Sequence, residues 1–277
     1  MKIKFDNTKI ISINLIFCLV NELIVKKSIV TIKWGSEFTS EHVNILLRAA
    51  KDNSATDFQF VCLTDDNYGL DDRIITLPIP LVNLSAMPKS EGAWPKICLF
   101  HPSLSKYLEQ VLFLDIDTVI CGNIDPFFEN PEDSLWMLSC GLRWRNFDNA
   151  LPTQPATGVM SYNVGCHKNI FENFAKDTEA AYKDNVVEQQ FVGANATKIN
   201  YFPLEYIQSF KYHLRRQYLV DLLLPPKEPS EETRMVAFHG YPRPSQVANI
   251  GEKWARFPRS GIHRPDWLVD YWNYYTE

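Results

Sequence analysis

The clearest pattern of apolar and polar positions lies between residues 29 and 114. "IVTIKW", 29–34, sets Val30, Ile32 and Trp34 against Thr31 and Lys33, the period of two expected of a β-strand. "GSEFTS" then reads as a loop, with Ser40 as helix N-cap and Glu41 in the first turn of a helix over "EHVNILLRAAKD". "FQFVCL", 58–63, predicts a second strand, ending in "TDD". "RIITLPIP", 73–80, predicts a third, whose prolines mark a sheet edge. "WPKICLFHPSL" predicts a helix that feeds the unbroken apolar run "VLFL", 111–114. Such a run reads as a strand buried on both faces. The sequence strand, helix, strand, strand, helix, strand is the rhythm of an α/β protein with a mostly parallel central sheet and helices on both faces.

Beyond residue 114 the pattern is less regular. "LWMLSC" and "TGVMSY" read as strands, 141–155 as a long polar loop, and 168–184 as one helix. A helical turn around "VVEQQFVG" and a late strand at "RMVAFHG" follow, then an aromatic and basic tail. No repeat, low-complexity tract or linker divides 29–277, which is expected to form one domain. Residues 1–28 stand apart: "IISINLIFCLVNELIV", 10–25, follows Lys2, Lys4 and Lys9. The run has no small-residue cleavage site, is interrupted by Asn14, Asn21 and Glu22, and is short for a bilayer span. It is expected to be a non-cleaved extension that packs on the domain or touches a membrane, an artificially early start codon being the alternative.

Net charge is −5, which gives a nucleic-acid role no electrostatic support. The six cysteines form no CxxC pair, a pattern of buried thiols in a reducing, cytoplasmic compartment. In a parallel sheet, ligands bind at the carboxyl ends of the strands. Trp34-Gly35, Thr64-Asp65 and Asp115-Ile116-Asp117 all fall there. Two carboxylates one residue apart, followed at once by renewed apolar sequence, point inward. Like charges that close raise each other's pKa unless a cation joins them, and hard oxygen ligands suit Mn²⁺ or Mg²⁺. Capping of a turn is the plainer role such aspartates can fill.

"VLFLDIDTVICGNIDPFFE" resembles the D-x-D segment of GT-A glycosyltransferases, nearest to the family-8-like bacterial enzymes. Other segments agree in order and spacing over residues 29–245. "VTIKWG" is similar to the first nucleotide-binding strand of such proteins and "FVCLTDD" to the second, which brings in Lys33, Trp34, Gly35 and Asp65. "WPKICLFHPSL" resembles the helix that carries a basic residue facing the donor, here Lys96. "VEQQF" resembles an acid-Gln pair lining the donor sugar, Glu188 and Gln189, and "FHGYPRP" the late motif that contacts metal and diphosphate. The resemblance implies the Rossmann-like GT-A fold. It also implies transfer of a sugar from a nucleotide-sugar, a UDP-sugar with retention, to a glycan or lipid-linked acceptor in cell-surface polysaccharide or lipopolysaccharide synthesis. Asp115, Asp117 and His239 would hold the metal, and Lys96, Gly240 and Arg243 the diphosphate. Glu188, Gln189 and Asp117 would act at the sugar.

The sequence departs from the family pattern at three points. His239 adjoins Gly240 instead of preceding it by three, Ala156 stands where Asn is usual before "GVM", and Glu188 replaces Asp. "FLDIDTV" also fits the first motif of haloacid-dehalogenase-like phosphatases, with Asp115 as nucleophile and Asp117 as acid/base, but the later acidic pair of that family is missing. A non-catalytic nucleotide-sugar binder on the same fold is a third reading. "RWR", "KYHLRRQY" and "RFPRSGIHRPDW" mix basic and aromatic residues in a way that suits peripheral contact with an anionic membrane face.

Overall fold

A computed structural model of the chain describes residues 26–80, 93–129, 133–258 and 260–276. The apolar run 10–25 lies outside the described residues. Among the described residues no helix is long and apolar enough to cross a membrane.

The strands are β1 (Lys27–Lys33), β2 (Gln59–Thr64), β3 (Ile74–Leu77), β4 (Gln110–Leu114), β5 (Thr118–Ile120), β6 (Leu135–Cys140), β7 (Gln154–Asn163), β8 (Ile199–Tyr201), β9 (Ile207–Ser209) and β10 (Met235–Ala237). The helices are α1 (Ser40–Asp52), α2 (Leu142–Asn146), α3 (Lys168–Lys176), α4 (Thr178–Asp184), α5 (Glu188–Asn195), α6 (Tyr218–Asp221), α7 (Pro244–Ala248) and α8 (Asp266–Thr276). Seven strands form the central sheet in the order β3-β2-β1-β4-β7-β6-β8, with β3 at the edge as expected and ending just before Pro78. Pairings are parallel except where β7 runs against β4 and β6.

Alternate residues of the same strands enter opposite layers. Ile29, Phe60, Cys62, Leu112 and Leu114 pack with Val43, Leu46, Leu47 and Ala50 of α1. Val30, Val61, Leu63, Val111 and Phe113 pack on the other face with Trp94, Ile97, Ile170, Phe174 and Phe191. Two buried faces explain the unbroken apolar run of β4, and they correct the alternation expected of β1, where Thr31 and Lys33 are buried too and Trp34 is exposed. Burying an aliphatic side chain of this kind stabilises by about 1.5–3 kcal/mol.

Several local expectations shift. Thr39, not Ser40, caps α1, in a reciprocal box with His42. The segment from Trp94 forms two 3-10 turns, Trp94–Phe100 and Pro102–Lys106, because Pro102 lacks the amide a continuing helix needs. The predicted helix 168–184 is two, since Asp177 leaves the helical region and accepts from the Ala180 amide at 2.9 Å to start α4. The loop 141–155 contains α2. A second sheet, β5-β10-β9, contains the late strand expected at "RMVAFHG" as β10, while its partners β5 and β9 had no clear sequence signal. It pairs Thr118 with Ala237 in antiparallel register, and so joins the chain just after Asp117 to the chain just before His239.

Candidate active site

The carboxyl ends of β1 and β4 open into a cleft of about 720 Å³. Ten of the twelve residues singled out from sequence line it: Trp34, Gly35, Lys96, Asp115, Asp117, Glu188, Gln189, His239, Gly240 and Arg243. Lys33 and Asp65 do not. Lys33 is buried with its ammonium 3.2 Å from the Asp66 carbonyl, and Asp65 accepts from the Gly35 amide at 3.0 Å. Gly35 has φ +62°, a turn conformation that costs other residues strain. Asp65 thus fixes the end of β1 from behind the cleft.

The antiparallel neighbour β7 shapes the D-x-D. The Asp115 amide donates to the Gly158 carbonyl at 2.9 Å, and a side chain at 158 would come within 3.4 Å of the Asp115 carboxylate. Lys96 contacts both Asp115 oxygens, at 2.7 and 2.8 Å, and lies 3.8 Å from Glu188. Burial would push Lys96 down, but Asp115 and Glu188 outweigh it and hold the ammonium above its usual range. Glu188 is itself engaged at both oxygens: Oε1 accepts from Thr157 at 2.7 Å and Oε2 from the Ala93 amide at 2.7 Å. It is 4% exposed. The acid expected to meet the donor sugar therefore ties three segments together around Lys96, while its neighbour Gln189 lines the open cleft.

Asp117 is also 4% exposed, and Arg243 donates to it and to Glu37. Burial, then the charge of Asp115, push Asp117 up to about 7 against the pull of Arg243. Asp115 is raised too, by burial, against Lys96. The Arg243 guanidinium stands 4.9 Å from the Phe38 ring centre. His239 turns elsewhere: Nε2 is 2.7 Å from Ser209 Oγ, and burial, with Lys211 next, lowers it to about 4. Among the described residues no group of three His, Cys, Asp or Glu is disposed to hold a metal. Asp115 and Asp117, here paired with Lys96 and Arg243, are the hard oxygen donors of the cleft that could hold a divalent cation.

A second cavity of about 340 Å³ shares the D-x-D, Glu188, Gln189 and His239, and continues towards Trp144, Arg145, Gln154 and Tyr212. Trp144 is anchored by its indole N–H on the Ile207 carbonyl at 2.6 Å, and Arg145 donates to the Tyr212 hydroxyl at 2.8 Å. Thr157 and Glu37 were missed from sequence, whereas Trp144 and Tyr212 belong to the basic and aromatic segments "RWR" and "KYHLRRQY" expected at a membrane face and line this cavity instead. Thr157 sits one residue before Gly158 of the "TGVM" strand, the only local signal available.

No protein-family model matches the sequence. No curated protein matches it either. Solved structures do. The chain is similar to the galactosyltransferase LgtC in complex with donor and acceptor sugar analogs, at 12% identity and a TM-score of 0.58, covering 89% of this chain and 95% of that one. It is similar to the glycosyltransferase GlyE of Streptococcus pneumoniae TIGR4, at 14% identity and 0.57, covering 91% and 63%. The bifunctional glycosyltransferase WbbM matches at 11% and 0.53, covering 79% and 47%. The chain has the GT-A fold of these glycosyltransferases.

Proposed function

We propose that the protein is a glycosyltransferase that moves a sugar from a nucleotide-sugar, a UDP-sugar, to a glycan or lipid-linked acceptor. The observation that carries this reading is the meeting of two carboxylates, Asp115 and Asp117, with Lys96 and Arg243 at the carboxyl ends of a GT-A sheet. A dehalogenase-like phosphatase finds no support in that fold. The D-x-D cleft has the volume of a small-molecule site, and the adjoining cavity gives a second substrate its own approach.

Asp115 and Asp117 would hold Mn²⁺ or Mg²⁺; His239 would have to exchange its Ser209 partner to join them. When bound, the cation would neutralise charge on the leaving diphosphate. Arg243, cationic and at the cleft wall, stabilises the same charge as the sugar–phosphate bond breaks. Lys96 acts one step back by holding Asp115 in place. Gln189 offers amide donors and an acceptor to sugar hydroxyls, and Glu188 fixes the start of α5 that carries it. Aromatic Trp144 and Tyr212 suit the faces of an acceptor sugar. Synthesis of cell-surface polysaccharide or lipopolysaccharide in the cytoplasm, beside the membrane's inner face, is the setting this chemistry fits.

A thermal-shift panel of UDP-, GDP- and CMP-sugars with and without Mn²⁺ tests the reading. Stabilisation by UDP-sugars only with Mn²⁺ is expected. No stabilisation by any nucleotide-sugar, or turnover of an aryl phosphate, overturns it.

A further inference from the structure

The turn from Tyr218 to Leu224 inverts the usual pattern of a surface helix. Leu219 is 72% exposed and Leu223 74%, with Tyr218, Val220 and Leu224 also exposed, while Asp221 is buried at 5%. Asp221 is held inside by Arg215 Nε at 2.7 Å and by the Gly261 amide at 2.8 Å. The acid is therefore not available to make the turn soluble, and the leucines have no cover among the described residues.

The apolar surface does not end there. The Tyr218 hydroxyl donates to the Pro258 carbonyl at 2.9 Å, which ties the turn to a loop bearing exposed Phe257 and Ile262. Beside them opens a hollow of about 580 Å³ with four cations in its lining, Lys211, Arg215, Arg216 and Arg256. Asp221, already paired with Arg215, is the one acid of that lining. Such a concentration of positive charge is notable in a chain of net charge −5. Clustered exposed apolar side chains mark an interaction surface. A cationic hollow lined by Tyr218, Tyr241 and Trp254, next along the chain to the exposed Leu219, Leu223 and Phe257, matches an anionic bilayer. Lipid phosphates would meet Arg216 and Arg256 while those apolar side chains enter the boundary of headgroups and acyl chains.

We infer that the face formed by residues 218–224, residues 256–258 and 260–262, and the hollow between them docks on the surface of an anionic lipid bilayer. The inference stands on this face alone and does not need the transfer reading. If that reading also holds, the acceptor is lipid-linked, because Tyr241 belongs both to the hollow and to the loop that carries Arg243, 5.4 Å from its ring.

The test is sedimentation of the full chain with vesicles of phosphatidylcholine alone and of phosphatidylcholine mixed with phosphatidylglycerol, at low and high salt. Binding to the mixed vesicles that weakens with salt is expected, with little binding to phosphatidylcholine alone. Arg256→Glu should weaken it about five-fold or more. The double variant Leu219→Ser, Leu223→Ser, at exposed positions that leave folding intact by circular dichroism, should weaken it at least about ten-fold. No binding to mixed vesicles, equal binding to both compositions, or a double variant that binds like the parent overturns the inference. So does a dimer in vesicle-free buffer that the double variant abolishes, which would assign the face to a second copy of the chain.

Discussion

Asp117 sits between a second carboxylate and a guanidinium, and its proton affinity follows from both. Its folded pKa of about 7 lies above the ordinary value of 3.8. A raised carboxylate costs the fold stability as pH rises from about 4 through about 7, because the unfolded chain ionises first. Asp117→Asn removes that dependence. Relative to the parent, the ligand-free variant should gain on the order of 2 kcal/mol between pH 5 and pH 8. Urea denaturation at the two pH values measures it. A difference that stays constant with pH would mean that Asp117 is not held protonated by its surroundings. Lys96 makes the opposite case. Its side chain is 10% exposed and lies between Asp115 and Glu188. Lys96→Met leaves the buried Glu188 and the partly exposed Asp115 without their cation and should destabilise by about 2 kcal/mol or more. A urea midpoint unchanged from the parent would contradict the network. The D-x-D itself could be read from the chain, because a buried strand ending in two acids has few explanations. The role of Glu188 could not be read. Its partners, the Ala93 amide and Thr157, are 95 and 31 residues away, and no local pattern encodes them.

The paired ends of β5 and β10 bring the D-x-D to the late motif, with Thr118 opposite Ala237. β10 could be read from the chain, but its partner β5, three residues long, carries too little alternation to be recognised, so the link between them was invisible in sequence. The longer elements β1, β2, β4 and α1 were legible because each buries several consecutive or periodic positions. The 3-10 turns from Trp94 and the break at Asp177 were not. Helical periodicity persists through both, and the interruption lies in single residues, Pro102 and Asp177. At α5 the packing is tight enough to test. A methyl group on Gly193 would come 2.5 Å from Pro155 Cγ. Gly193→Ala should destabilise by about 1–3 kcal/mol and move α5, with Glu188 and Gln189, away from β7. Thermal melting and turnover should fall together. Full stability with full activity would show that the α5–β7 contact does not position the site.

Across the whole molecule, a GT-A sheet bearing the D-x-D, Lys96, Gln189 and Arg243 at one cleft accounts for more of the chain than any single motif does. The N-terminal run 10–25 and the acceptor's chemistry are the parts the sequence pattern addresses least, since neither is tied to a strand end. The central claim is catalysis of sugar transfer with the D-x-D at its centre. Its most direct measurement is release of UDP from UDP-sugars by the purified full chain in Mn²⁺, beside Asp115→Asn. Metal-dependent release is expected, falling at least about a hundred-fold in the variant with the fold intact by circular dichroism. Release that proceeds equally in Asp115→Asn, or none from any nucleotide-sugar offered with Mn²⁺, would contradict it.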